Sequence, residues 1–197
     1  LIILFFFHSD LMFLKRPPKG ATLYAKQIPP YGADTAFTNL YLAYETLSDG
    51  MKEMLEGLEA VNESGDTKQW SNRYESMEEL AQNDSMTNIH PVVRVNPDTG
   101  RKALFISLAF TTRFKDMTEK ESAPLLKFLY EHSIQEHLGC RLAWKPKSLA
   151  MWDNRVCLHH GVADYFGEVS KHRRVMQRAT IEGEVPIAAS SWNPKAA

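Results

Sequence analysis

The sequence is poor in cysteine, in charge of a single sign and in long apolar runs. Its 197 residues include only two cysteines, which excludes a disulfide framework and favours a reducing, cytoplasmic location. Lysine and arginine total 23 against 24 aspartate and glutamate residues, so the sequence lacks the basic excess of a nucleic-acid-binding protein. The longest apolar run covers residues 1–7, far fewer than the ~20 residues of a transmembrane helix. We therefore expect no nucleic-acid partner and no membrane segment.

The start of the chain does not have the features of a signal peptide. No basic region precedes the apolar run at residues 1–7, and no small-residue cleavage site follows it. Because the first residue is leucine rather than methionine, we expect the original N-terminus to be missing. The length fits one domain, residues 1–197, and 44% hydrophobic and 24% charged residues are ordinary for a globular protein.

Hydrophobic periodicity predicts strands at both ends of the chain and helices between them. Apolar or alternating runs predict strands at residues 1–7, 21–28, 34–38, 92–95, 104–106, 141–144, 149–152, 155–159 and 174–181. Helical spacing of apolar residues predicts helices at 40–47 and 51–58, and a capping box formed by Thr118 and Glu121 opens a third helix. Residues 62–88 are polar and lack periodicity, so we expect a long loop or lid there.

This order of elements favours a β-sandwich or jelly roll over a doubly wound α/β fold. Parallel βαβ units need strands that alternate regularly with helices, and few predicted strands here are followed by a helix and a further strand. We therefore predict a mainly β fold with inserted helices, which pack outside the sheets.

Two short segments carry side chains that suit a metal site. His8 and Asp10 are two positions apart at the end of the first predicted strand, so they lie on the same face. A histidine that leaves a later buried strand, either His159 or His160, can supply a third ligand. Two histidines and one carboxylate form the facial triad of non-haem Fe(II) oxygenases, which leaves three coordination positions open. Each segment taken alone fits equally well a solvated strand end or a packed histidine.

Two arginines lie on one face of the last long predicted strand. Arg174 and Arg178 are four positions apart, and strand residues at even spacing point the same way. The planar guanidinium group suits bidentate binding of a carboxylate or sulfonate. The alternative is a solvated basic edge strand, which opposes edge-to-edge aggregation.

The order of these three elements resembles the taurine dioxygenase family, the Fe(II)- and 2-oxoglutarate-dependent dioxygenases. The resemblance runs from about His8 to Glu184. Further segments similar to family signatures are 17–23, 32–35, 90–94, 99–105, 110–113, 152–155 and 173–176. The resemblance implies a double-stranded β-helix, a cupin-like jelly roll, which agrees with the fold predicted from periodicity.

The same resemblance implies roles for the metal and co-substrate residues. His8, Asp10 and His159 would bind Fe(II), and the histidine that follows the third ligand would be only its neighbour. Arg174 would pair with the distal carboxylate of 2-oxoglutarate, and Thr35 would donate a hydrogen bond to it. The implied activity is hydroxylation with O2 and release of succinate and CO2.

For the substrate, the resemblance implies contacts from Arg178, Phe110 and the backbone N–H of Leu11. Arg178 would hold an acidic organic molecule, with a sulfonate or sulfate ester ahead of a carboxylate. Two departures from the taurine-specific pattern bear on the choice. Residues 1–7 are apolar where such members have groups that bind the substrate amine, and we expect the N-terminal part of the family domain to be missing. We therefore expect no strong selection for an amine.

Other interpretations remain open from the sequence. A zinc-dependent hydrolase can use the same three ligands. An inactive or truncated jelly-roll binding protein, with no enzymatic activity, is a further alternative. The residues are also compatible with a homo-oligomer. Cys157 stands two positions before His159, and we interpret it as a small buried apolar residue rather than a ligand.

Overall fold

The computed structural model of the protein describes residues 6–64, 86–164 and 173–193. The strands in these ranges are β1 (Gly20–Gln27), β2 (Thr35–Asn39), β3 (Glu59–Glu63), β4 (Thr87–Pro91), β5 (Val93–Val95), β6 (Lys102–Leu104), β7 (Thr111–Phe114), β8 (Gly139–Leu142), β9 (Leu149–Asp153), β10 (Cys157–Gly161), β11 (Val175–Ile181) and β12 (Ile187–Ala188). The helices are α1 (Leu40–Glu45), α2 (Asp49–Glu56) and α3 (Glu119–Ser133), with 3-10 turns at Glu136–Leu138 and Ala189–Ser191.

The described strands form four antiparallel sheets of three strands each. Their orders are β11-β1-β9, β10-β2-β8, β12-β5-β6 and β4-β3-β7. The first two sheets combine strands from the two ends of the chain, so the first and last thirds of the sequence lie side by side. This architecture confirms the predicted mainly β fold with inserted helices.

Two apolar clusters stabilise the fold. The larger one joins the helices to the sheets, and its fully buried members include Leu40, Leu55, Phe114 and Leu129. The smaller one lies directly behind the predicted metal-binding segment and consists of Leu11, Met12, Phe13, Leu14, Phe105 and Phe110. Each such side chain contributes roughly 1.5–3 kcal/mol when it is fully buried. The turn that carries Asp10 is therefore anchored by a core of its own.

Local capping explains where the helices begin. Asn39 accepts hydrogen bonds from the backbone N–H groups of Tyr41 and Leu42 and so starts α1. Thr118 and Glu121 form the predicted capping box at the start of α3. Each of these caps satisfies donors that have no partner within the helix. The predicted helices are confirmed within about two residues of their predicted starts.

Thr118→Ala is expected to lower the free energy of unfolding by about 1 kcal/mol, the usual effect of losing an N-cap. The hydroxyl accepts from the backbone N–H of Glu121 at 3.3 Å, and alanine has no acceptor. In a chain of this size the melting temperature should fall by about 2–4 °C. Thermal unfolding measures the effect, and Lys127→Ala, on the exposed side of α3, is a control that should change it little. Equal losses in both variants would contradict the assignment of the cap.

The predicted loop at residues 62–88 is wrong at both of its ends. Asn62 and Glu63 belong to β3, and β4 begins at Thr87. Asn62 is fully buried although it is polar, because its side-chain oxygen accepts a hydrogen bond from Thr111 at 2.8 Å. When the hydrogen-bond partner of a buried polar residue lies on a strand far away in the sequence, the local sequence has no apolar pattern that would predict a strand. Residues 65–85 lie outside the described residues.

Two further predictions fall mainly outside the described ranges. Of the predicted strand at residues 1–7, only Phe6 and Phe7 are described, and neither belongs to a strand. The sequence also predicts a surface loop at residues 166–171, and this range lies outside the described residues. In the described parts of the chain, no helix is long and apolar enough to span a membrane.

Candidate metal centre

His8 and His159 face each other across an isolated antiparallel bridge. The backbone N–H of His8 donates to His159 O at 3.0 Å, and the N–H of His159 donates to His8 O at 2.8 Å. Directly opposed residues of an antiparallel pair point the same way, and the two imidazole centroids are 4.6 Å apart. The bridge therefore brings together two side chains that are 151 positions apart in the sequence.

Asp10 completes the cluster from the same side. Its Oδ1 lies 4.0 Å from His8 Nε2 and 3.6 Å from His159 Nε2. One ligand atom from each of the three residues lies within 4.8 Å of the others, and none of the three is more than 6% exposed. The structure thus places together the three residues predicted to bind the metal.

His160 points to the opposite face of β10. Its ring packs edge-to-face on Phe7, with centroids 4.3 Å apart, and its Nδ1 lies 3.1 Å from Gly161 O. His159 instead lies against Phe37, its direct partner on β2, at a centroid distance of 6.2 Å. Of the two adjacent histidines, His159 faces the cluster, as the family resemblance implies.

The protonation states of the cluster suit a divalent metal. Burial lowers the pKa of His159 to about 3 and also lowers the pKa of His8, so both imidazoles are neutral. His8 Nδ1 donates to Phe6 O at 2.8 Å, which leaves the lone pair on Nε2. Burial opposes ionisation of Asp10, but the positive charge of Arg178 and the hydrogen bond from Asn154 favour the carboxylate, and the pKa of the carboxyl is lowered. Two neutral imidazoles and one carboxylate form a donor set that fits Fe(II).

Two residues beside the cluster have no role in the sequence-based prediction. Asn154 donates a hydrogen bond from its side-chain amide to Asp10 Oδ2 at 2.9 Å. Trp152 donates from its indole N–H to Asn154 Oδ1 at 2.8 Å. Both belong to the segment 152–155, which carries part of the family resemblance. That segment is the feature of the sequence that could have identified them as site residues.

Arg178 lies next to the cluster rather than away from it. Its guanidinium forms an ion pair with Asp10 Oδ2 and lies over the Trp152 ring, 5.6 Å from the ring centroid. The side chain is 25% exposed, so it joins the buried carboxylate to the solvent-accessible side of the site. Arg178 is placed on β11 opposite Leu23 of β1.

The two residues predicted to bind 2-oxoglutarate meet at one short segment, residues 33–35. Thr35 belongs to this segment, and Arg174 contacts it. Thr35 is buried at the start of β2, and its Oγ1 accepts from the Trp144 indole N–H at 2.9 Å. Because the hydroxyl acts as acceptor there, its hydrogen points elsewhere and can serve a further acceptor. Arg174 Nε donates to the backbone oxygen of Ala33 at 3.2 Å, two residues before Thr35.

The two remaining predicted contacts lie on the apolar side of the cluster. Phe110 is 2% exposed and packs edge-to-face on His8, with centroids 6.3 Å apart. Leu11 buries its side chain in the same apolar cluster and has a positive φ of 48°. A left-handed conformation costs a leucine of the order of 1 kcal/mol, which the buried side chain offsets. The turn directly after Asp10 is therefore sharply defined.

Cys157 has the environment of a packed residue. It is partly buried on β10, its Sγ donates to Leu158 O at 3.3 Å, and burial raises the pKa of its thiol to about 12. A thiol of this kind is protonated at neutral pH and is a poor metal ligand.

Comparison with known proteins identifies relatives over almost the whole chain. The family described as taurine catabolism dioxygenase TauD, TfdA matches residues 3–180. An alpha-ketoglutarate-dependent sulfonate dioxygenase of Saccharomyces cerevisiae is 30% identical, covering 91% of this chain and 42% of its own length. An alkylsulfatase of Acinetobacter baylyi is 31% identical, covering 95% of this chain and 60% of its own length. The chain spans about half the length of the curated relatives it matches.

Solved structures show the same fold. A taurine dioxygenase from Burkholderia xenovorans superposes with a TM-score of 0.83 at 32% identity, covering 98% of this chain and 62% of that protein. The predicted jelly roll, or double-stranded β-helix, is therefore confirmed.

Proposed function

Because the chain belongs to the taurine catabolism dioxygenase TauD, TfdA family, we propose that this protein is an Fe(II)- and 2-oxoglutarate-dependent dioxygenase. It hydroxylates a small acidic organic substrate, a sulfonate or sulfate ester, and releases succinate and CO2. The observation that carries this proposal is the convergence of His8, Asp10 and His159 on one buried point. The names of the relatives, a sulfonate dioxygenase and an alkylsulfatase among them, support the substrate class.

His8, Asp10 and His159 are the residues that would hold the metal. Fe(II) in this position supplies the redox chemistry with O2 and 2-oxoglutarate, and the protein supplies binding and orientation. All three donors approach from one side, because two are joined by a backbone bridge and the third follows two residues later. Three ligands that approach from one side would leave room at the metal for the co-substrate and O2.

Arg174 and Thr35 hold the distal carboxylate of 2-oxoglutarate. The guanidinium of Arg174 is oriented by its bond to Ala33 O, and the hydroxyl of Thr35 is oriented by its bond from Trp144. The charged guanidinium of Arg174 and the neutral hydroxyl of Thr35 both donate to one carboxylate. Hydrogen bonds between ionised groups are stronger than those between neutral groups, so Arg174 makes the stronger contact.

Arg178 holds the acidic group of the substrate. Its guanidinium offers five N–H donors, and the Asp10 contact uses only one of its ends. The rings of Trp152 and Phe37 pack on His159, and the ring of Phe110 packs on His8, so aromatic side chains surround the two proposed histidine ligands. An anion bound by Arg178 is close to the metal, because Arg178 pairs with Asp10.

Measurement of succinate tests the proposed function. Purified protein is supplied with Fe(II), 2-oxoglutarate and a panel of aliphatic sulfonates, sulfate esters and aryloxy acids. The expected result is substrate-stimulated succinate release that disappears when Fe(II) or 2-oxoglutarate is left out. Substrate cleavage with Zn(II) and without 2-oxoglutarate would instead support the zinc hydrolase and contradict the dioxygenase.

Arg178→Ala is expected to raise KM for an anionic substrate by about 10- to 100-fold, which corresponds to the loss of a charged hydrogen bond. A neutral analogue of the same size should lose little. An alkyl sulfonate without an amine should be used at least as well as taurine, because no acceptor for an amine is predicted. Arg16→Ala, at an arginine that is 58% exposed, is the matched control. Equal turnover of neutral and anionic substrates by the unaltered protein would contradict the role of Arg178.

A further inference from the structure

A hydrogen-bonded chain of two side chains ends on the proposed metal ligand Asp10. The Trp152 indole donates to Asn154 at 2.8 Å, and Asn154 donates to Asp10 Oδ2 at 2.9 Å. We propose that Trp152 and Asn154 are positioning residues that leave only Oδ1 of Asp10 for the metal. This inference rests on the proposed function, since it concerns the metal of the same site.

The indole fixes the orientation of the Asn154 amide. An amide side chain has a donor end and an acceptor end that differ little in shape, so its neighbours decide which end points where. An indole N–H can only donate, so it requires the oxygen of Asn154 on its own side. The NH2 group is then directed at Asp10. The Asn154 backbone is held as well, because its oxygen accepts from Ser9 Oγ at 2.7 Å and its N–H donates to Lys19 O at 2.9 Å.

The two oxygens of Asp10 consequently have different partners. Oδ2 accepts from Asn154 and pairs with Arg178. Oδ1 is the oxygen that lies 3.6 Å from His159 Nε2 and 4.0 Å from His8 Nε2. With two donors on Oδ2, the carboxylate binds a metal through one oxygen. A carboxylate free to rotate could bind through both oxygens and occupy a position that the co-substrate or O2 needs.

Trp152 contributes to the site in two separable ways. Its N–H orients Asn154, while its ring packs 4.7 Å from the His159 ring and lies under the Arg178 guanidinium. Trp152→Phe removes the N–H and keeps an aromatic ring in place. Asn154→Ala removes the amide and leaves the ring contacts unchanged. The two variants therefore interrupt the same chain at different links.

The test is a titration of the metal-free protein with Co(II), followed by calorimetry and by the visible absorption of bound Co(II). Both variants are expected to bind Co(II) about 10- to 100-fold more weakly, the usual effect of losing a residue that orients a metal ligand. The absorption band of bound Co(II) should also change, because the carboxylate can adopt a second binding mode. The double variant should be no weaker than Asn154→Ala, since both changes interrupt one chain. Trp192→Phe, the same substitution at a tryptophan near the C-terminal 3-10 turn, should leave affinity and spectrum unchanged.

Wild-type affinity and spectrum in Trp152→Phe would overturn the proposal for the indole, and the same result in Asn154→Ala would overturn it for the amide. A lower melting temperature with unchanged Co(II) affinity would show a purely structural role and would also overturn it. If Asn154→Ala does not fold, Trp152→Phe decides the case alone. A wild-type protein that binds Co(II) but forms no succinate with any substrate would contradict the proposed function and leave the positioning proposal to the Co(II) data.

Discussion

Asp10→Ala is expected to weaken metal binding by more than about 100-fold and to abolish Fe(II)-dependent succinate formation. Loss of a residue that merely orients a ligand costs 10- to 100-fold, and Asp10 is proposed to be a ligand itself. It is also the single anionic donor of the cluster. The variant would keep only the two imidazoles, which are neutral because burial lowers the pKa of both. Calorimetric titration with Co(II) and the succinate assay measure the two effects independently.

The fold should survive this substitution. Arg178 loses its carboxylate partner, but its side chain is 25% exposed and can turn towards water. We therefore expect a shift in melting temperature of a few degrees, well below the effect of a fully buried unpaired charge. A protein that is unfolded would show lost metal binding for a trivial reason, so the melting curve is recorded with every titration.

Two adjacent histidines provide the matched control. His159→Ala should lose metal binding as Asp10→Ala does, whereas His160→Ala should retain it, because His160 packs on Phe7 on the other face of the strand. Retention in His159→Ala together with loss in His160→Ala would show that the wrong histidine has been assigned. Wild-type affinity in Asp10→Ala would remove Asp10 from the site altogether.

The elements that could be predicted from the sequence are those with local causes. Asn39 caps α1, and Thr118 with Glu121 caps α3, within the four residues that follow each cap. Asn62 shows the opposite case, because its burial depends on a hydrogen bond from Thr111 on another strand. No window of sequence contains both partners of that pair, so the pattern predicted a loop where β3 runs.

The candidate site also has one part that local spacing predicts and another part that depends on residues far apart in the sequence. Strand geometry predicts that His8 and Asp10 share a face because they are two positions apart. The structure brings the two side chains together in another way, since His8 belongs to an isolated bridge and Asp10 begins a turn. Their meeting with His159 depends on a bridge between distant segments. The residues alone left both His159 and His160 open as the third ligand, and only the family resemblance selected His159. The hydrogen bonds from Trp152 and Asn154 are side-chain contacts between groups that periodicity does not order, so no rule of spacing could assign their roles.

Arg178 has a contact that its spacing from Arg174 does not predict. The sequence predicts both arginines on one strand face, with Arg174 for 2-oxoglutarate and Arg178 for the substrate. Arg178 also contacts the proposed metal ligand Asp10, so the residue proposed to bind the substrate is in direct contact with the metal site. Arg174 contacts Ala33 instead, on the segment that leads into Thr35.

Arg174→Ala should therefore affect the co-substrate and leave the metal alone. We expect the 2-oxoglutarate concentration for half-maximal succinate release to rise by 10- to 100-fold, roughly 1.4–2.8 kcal/mol, the scale of a charged hydrogen bond. Affinity for Co(II) without 2-oxoglutarate should stay unchanged, because Arg174 is not one of the three proposed ligands and its Nε donates to Ala33 O. Arg174→Lys should be intermediate, since it keeps the charge and loses the planar fork.

Thr35→Val tests the second contact to the same carboxylate. The hydroxyl is neutral, so its loss should raise the 2-oxoglutarate requirement by about 3- to 10-fold, less than Arg174→Ala. Valine also leaves the Trp144 indole N–H without its acceptor, so Trp144→Phe is combined with it to separate the two effects. If Arg174→Ala and Thr35→Val both keep the wild-type requirement, the carboxylate is held elsewhere, and the segment 33–35 has no part in binding it.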